Sequence, residues 1–144
     1  VTNHADRTRL DTAIGGVCRV AKVDASNGLI IGWGIICTEK GEKYYDLHGD
    51  HMPEDVMLKA AAKFMRTARA ARIMHDDKDV GQVVFAMPVL TDVFKALDLA
   101  GPERTGLVIG WAPDDRAWLQ KYASGELTGF SFGGWAKRKR AEVS

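Results

Sequence analysis

Cysteine is scarce. The 144-residue chain has two, Cys18 and Cys37, both inside apolar runs and without CxxC spacing. That excludes a disulfide-stapled scaffold and makes a reducing cytoplasm the expected compartment. Charge of one sign is also lacking: 20 basic against 19 acidic residues leave a net +1, so no global field draws the chain to nucleic acid or a membrane. The longest apolar run, Gly28 to Cys37, is about half of what a membrane-spanning helix needs. No charged n-region, apolar h-region and cleavage site open the sequence. The first residue is Val rather than Met, as in a trimmed product or a recombinantly expressed piece. What is present is ordinary globular usage: 46% hydrophobic and 27% charged residues exclude a disordered or fibrous chain. One domain is expected, large enough to bury about two-thirds of its unfolded surface. Residues 1–13 are polar without periodicity and read as a flexible leader, with a single domain over 14–144.

Val17 to Val23 alternates like a strand, Ser26-Asn27-Gly28 signals a turn, and Leu29 to Thr38 reads as the second arm of a hairpin. Lys40-Gly41-Glu42 turns the chain again. The clearest helix starts near Pro53: proline suits the first helical position, and Glu54 and Asp55 meet the positive end of the dipole. Val56, Ala60, Phe64 and Ala68, with Met57, Ala61 and Met65 alongside, form its apolar stripe. Arg66, Arg69 and Arg72 fall in its last turns. Strands are expected over Val80 to Leu90, Gly106 to Trp111 and Leu127 to Ala136, and short helices over Thr91 to Ala100 and Asp114 to Ala123. Strands outnumber helices and do not alternate with them, which excludes Rossmann and TIM architectures. An α+β, mainly β fold is expected, with an antiparallel or mixed sheet, open or closed, and helices packed outside it.

In Thr128-Gly129-Phe130-Ser131-Phe132-Gly133-Gly134, strand alternation puts the two phenylalanines on one face and Ser131 between bare glycines on the other. An extended substrate could reach the Ser131 hydroxyl unscreened. Equally, the glycines could make room for a packed helix and leave the serine incidental. The GxSxG spacing is not the hydrolase elbow, because no strand-to-helix turn follows. A serine nucleophile needs a base, and imidazole is the usual one. Among His4, His48, His51 and His75, the last is best placed, between the apolar Ile73-Met74 and the acidic Asp76-Asp77. Asp46, His48, Asp50 and His51 form a second cluster, readable as a divalent-metal site or as a polar turn capping the helix. Its spacing matches no recognised metal motif. Lys137 to Arg140 is a basic run, a solvated tail or a weak phosphate contact.

These pieces, in order, resemble a known family. Asp46-Leu47-His48-Gly49-Asp50, the helix with Ala60-Ala61 and Phe64-Met65, Met74-His75-Asp76, and Val80-Gly81-Gln82-Val83-Val84 are followed by Val108-Ile109-Gly110-Trp111, the helix with Trp118, and Gly125 to Gly134. With Lys22 to Trp33 they resemble the phage prohead proteases, most closely the XkdF-type phage serine proteases. The resemblance implies an antiparallel β-barrel with surrounding helices, similar to the herpesvirus assemblins. It implies a serine endopeptidase that trims scaffold and major capsid proteins, and itself, inside an assembling procapsid in the host cytoplasm. A homodimer is a looser implication. Ser131 matches the family's nucleophile and His75 its histidine, with no cofactor and no metal. The third member is open: Glu142, Asp50, Asp76 or Asp77, or a residue beyond 144 in a chain truncated at its C-terminus. Two rivals remain. One is a catalytically incompetent capsid-assembly component that binds scaffold. The other is a metal-dependent hydrolase using Asp46, His48, Asp50 and His51. A nucleic-acid role for the basic tail is more distant, and no membrane partner is expected.

Overall fold

The computed structural model describes residues 11–13, 18–67, 72–75, 78–132 and 135–137. The expected hairpin is present as β2 (Cys18–Asp24) and β3 (Leu29–Glu39), paired antiparallel. Its turn is closed by Asp24, whose carboxylate accepts from the Asn27 amide N–H at 3.1 Å and the Asn27 side chain at 2.9 Å. Gly28 completes it at φ 69°. Lys40 and Gly41, both at positive φ, form a two-residue turn into β4 (Glu42–Lys43), the conformation whose twist suits a tight hairpin.

Helix α1 (Glu54–Thr67) begins directly after Pro53, whose carbonyl accepts the Met57 amide at 2.9 Å. Its buried stripe is Met57, Ala61 and Phe64, while Val56 is 40% exposed. The stripe therefore centres one position away from the Val56-Ala60 row. Ala68 lies outside the described residues. The arginine spacing put Arg72 in the helix's last turns, and the structure does not. Arg72 opens a strand, β5 (Arg72–His75), which pairs with β6 (Lys78–Val89) on one side and β8 (Gly129–Phe132) on the other. Tertiary pairing overrides a local helical pattern here.

Helix α2 (Thr91–Ala96) is shorter than Thr91 to Ala100 because Asp98 takes a left-handed φ of 58° just beyond it. After β7 (Arg104–Pro113), helix α3 (Ala117–Ala123) starts where Asp115 accepts the Ala117 amide at 2.8 Å. The single strand expected over Leu127 to Ala136 is two: β8, and β9 (Trp135–Lys137). β9 pairs with β1 (Asp11–Ala13), so the expected leader ends in a paired strand; residues 1–10 lie outside the described residues.

Every described pairing is antiparallel. The order is β2-β8-β5-β6-β7-β3-β4, with β2 also paired to β3. The pairings thus run in a circuit of six strands, β2, β8, β5, β6, β7 and β3, with β4 attached outside it. The fold is mainly β, with helices packed on the sheet.

Trp111 is fully buried at the centre, 5.7 Å from the Phe130 ring and edge-on to Tyr122 at 5.8 Å. Ile30, Ile109, Leu107, Met57 and Phe64 complete the core around it. Close approaches between strands depend on glycine. A Cβ on Gly32 would stand 2.1 Å from the Arg19 carbonyl oxygen and 3.0 Å from the Phe130 ring. One on Gly110 would stand 2.1 Å from Phe85, whose ring lies across that strand. A register shift between Val83 and Phe85 leaves Val84 and Phe85, 49% and 36% exposed, consecutive on the outside.

Candidate active site

The candidate nucleophile strand is held from three directions. β8 pairs with β2 at Cys18↔Phe130 and Arg19↔Gly129, and with β5 at Met74↔Ser131 and Ile73↔Phe132. Just before it, the Val20 amide donates to the Thr128 carbonyl at 3.0 Å, and the Leu127 amide to the Lys121 carbonyl at 3.1 Å. The third support comes from α3, where the Tyr122 hydroxyl donates to the Gly129 carbonyl at 2.7 Å. Phe130 is 3% exposed and packs on Trp111. It fulfils half of the expected aromatic anchor; the side chain of Phe132 lies outside the described residues.

His75 ends β5, one position beyond Met74, the residue directly opposite Ser131. Fifty-five residues of sequence lie between His75 and Ser131, yet folding brings their two strands into direct hydrogen-bonded contact. The structure describes the backbone of Ser131 and His75; their side chains lie outside the described residues, as do Asp76, Asp77 and Glu142.

Two other potential nucleophiles lie in the sheet, and their chemistry is quiet. Burial pushes the Cys18 thiol up to about 12, and Cys18 sits opposite Phe130 on β2. Cys37 is likewise pushed up to about 12, by burial first and by the nearby Glu54 charge second. A thiol so disfavoured as thiolate is a poor nucleophile. Burial, with a smaller contribution from Cys18, also pushes the Tyr122 phenol up to about 12, so it remains a donor across the neutral range.

The cluster before α1 is a turn. Asp46 Oδ1 accepts the His48 and Asp50 amides, each at 2.9 Å. The Asp46 amide donates to the Asp50 carbonyl at 2.9 Å, and Gly49 adopts φ 74°. His51 Nδ1 lies 3.0 Å from the Tyr44 carbonyl oxygen, with its ring 5.7 Å from Tyr45. Among the described residues no three His, Cys, Asp or Glu side chains form a group that could hold a metal ion. The metal reading of Asp46, His48, Asp50 and His51 is therefore corrected to the polar turn, because Asp46 spends its carboxylate on backbone donors. Of the basic run, Lys137 ends β9 and 138–140 lie outside the described residues.

Sequence reasoning missed Tyr122, which it placed in a helix without a role. No local signal marks a tyrosine whose partner is a carbonyl on the next strand. It also missed the Glu39–Arg104 pair across β3 and β7, where Arg104 Nη2 donates to Glu39 Oε1 at 3.0 Å and the guanidinium covers the Trp33 ring at 5.4 Å.

A family model described as "Putative phage serine protease XkdF" matches residues 16–140, a span that takes in both His75 and Ser131. The chain belongs to this family. The XkdF match covers every strand from β2 to β9, so the family and the six-strand circuit describe the same stretch of chain. Neither a search of curated proteins nor one of solved structures found a match. In this phage family member, no described helix is long and apolar enough to cross a membrane.

Proposed function

We propose that this chain is a serine endopeptidase of phage procapsid maturation, with Ser131 as nucleophile and His75 as general base. One observation carries the reading: β8 and β5, the strands bearing Ser131 and His75, are hydrogen-bonded neighbours, with Ser131 opposite the residue preceding His75. Ser131 Oγ attacks the scissile carbonyl as His75 takes its proton. The imidazolium then returns that proton to the leaving amine, and water releases the acyl group by the same steps in reverse roles. Backbone N–H groups supply the oxyanion site. Successive strand residues alternate faces, so contact between residues offset by one needs a break in the pleat. The register shift of β6 opposite Ile73 and Met74 supplies a local distortion of the kind that re-aims side chains. Glu142, Asp50, Asp76, Asp77 or a residue beyond 144 orients the imidazole.

The same proposal carries an assemblin-like fold for this mainly β, antiparallel sheet with its outer helices, a likeness that rests on the family resemblance. Scaffold and major capsid proteins are the substrates, with self-cleavage and homodimerisation as further expectations, all inside the procapsid in the host cytoplasm.

The test is reaction with a fluorophosphonate and peptide mass mapping, alongside His75→Ala. A single adduct on Ser131 that disappears in the variant supports the dyad. Absence of an adduct on the folded protein overturns it and favours the incompetent scaffold-binding reading.

A further inference from the structure

Tyr122 has no part in the chemistry just described, yet its hydroxyl donates a hydrogen bond to the backbone of β8 at Gly129. The phenol is 5% exposed and set edge-on against Trp111, which also packs against the Phe130 ring. α3, Trp111 and β8 thus form one packed unit, and the 2.7 Å bond to the Gly129 carbonyl ties that unit to the backbone two residues before Ser131. A tyrosine held by ring packing has little freedom to follow a moving strand. Its hydroxyl therefore restrains where β8 sits relative to β5.

We infer that Tyr122 is a positioning residue, fixing β8 through the Gly129 carbonyl so that Ser131 stands in register with the histidine strand. The inference deepens the proposed function and rests on Ser131 being the nucleophile. It follows from the steep dependence of catalysis on placement, where an error of about 1 Å can cost about a hundredfold. β8 is only four residues long, so each bond at its ends carries a large share of its alignment.

The experiment compares Tyr122→Phe with wild type in fluorophosphonate labelling. The variant keeps the packed ring and deletes the hydroxyl. The first-order rate of adduct formation on Ser131 is expected to fall about tenfold, with the apparent affinity for the reagent and the pH midpoint of labelling unchanged. Thr38→Val serves as the stability control. It deletes a 2.6 Å hydroxyl pair with the buried Thr105, between β3 and β7, and lowers the melting temperature without touching β8. A third readout is amide exchange over residues 128–132, which Tyr122→Phe is expected to accelerate.

Equal labelling in Tyr122→Phe and wild type overturns the inference. So does an equal slowing in Thr38→Val, which would reduce the tyrosine to general stability. If wild-type Ser131 takes no label, the proposed function fails by itself. Exchange then decides whether Tyr122 holds the strand, and unchanged exchange overturns that as well.

Discussion

Gly32→Ala should be a severely damaging single methyl in the sheet. The new Cβ would meet the Arg19 carbonyl oxygen at 2.1 Å and its carbon at 2.9 Å, with the Phe130 ring at 3.0 Å behind them. The first two atoms are backbone, held in the β2–β3 ladder where Arg19 pairs with Trp33 and Val20 with Gly32. No rotamer change can relieve them, so β2 must move by roughly 1 Å or the ladder must open. Inserting a methylene into a packed core costs about 1–3 kcal/mol, and an unyielding backbone neighbour places this site at the upper end or beyond. Gly101→Ala is the reference, because its Cβ would have nothing within 4 Å. Urea unfolding of the two variants beside wild type measures the difference. Gly32→Ala should lower the midpoint at unchanged slope, a loss of about 3 kcal/mol in unfolding free energy, and Gly101→Ala should lie within about 0.5 kcal/mol of wild type. Because β2 also pairs with β8, Ser131 labelling should fall with it. A Gly32→Ala protein as stable as Gly101→Ala would refute the close approach of β2 and β3 and the packing built on it.

Phe130→Ala should cost about 3–5 kcal/mol, the usual price of an emptied aromatic site, and should release β8 from Trp111; thermal melts and tryptophan fluorescence together check both effects. Folded Cys18 and Cys37 should resist a disulfide-exchange reagent at pH 8, and both should react once urea unfolds the chain. Their thiols, raised from 9 to about 12, and the Tyr122 phenol, raised from 10 to about 12, make the unfolded chain the better acid. Stability is therefore complete below about pH 9 and falls as pH climbs toward 12, which urea midpoints across that range can follow. Asp46→Ala should cost about 1 kcal/mol through the loss of the oxygen that accepts from the His48 and Asp50 amides, and a chelator should leave the wild-type melting temperature unchanged; a chelator-sensitive melt would restore a metal to that turn.

Local chemistry made much of the fold legible. Asn27-Gly28, Lys40-Gly41 and Pro53-Glu54-Asp55 each specify their own backbone, and the hairpin and α1 follow from them. β5 was illegible because its reason is not local. Arg72–His75 is four residues, too short to show a period, and it is extended because β6 and β8 flank it. The division of the last strand into β8 and β9 was hidden for the same cause: its two parts answer to different partners, β2 and β5 for one and β1 for the other. The strand at Val80 to Leu90 was expected, but its bulge, which puts Val84 and Phe85 outward in succession, was not read from the sequence.

The candidate site shows the same division more sharply. Glycine on either side of Ser131 and the apolar-to-acidic step around His75 single out two residues, but nothing in either segment says that they belong together. That link lies in the pairing of β5 with β8, a contact across more than fifty residues of sequence, and it exists only because β2 and β6 hold those two short strands from outside. The support extends a layer further: β8 depends on Phe130, Phe130 on Trp111 and on the missing side chain of Gly32, and Gly129 on the Tyr122 hydroxyl. None of those residues bears reactive chemistry, so a search for nucleophiles and bases passes over them. A four-residue strand cannot align a hydroxyl by its own hydrogen bonds alone, and the placement of Ser131 is accordingly a property of the core beneath it.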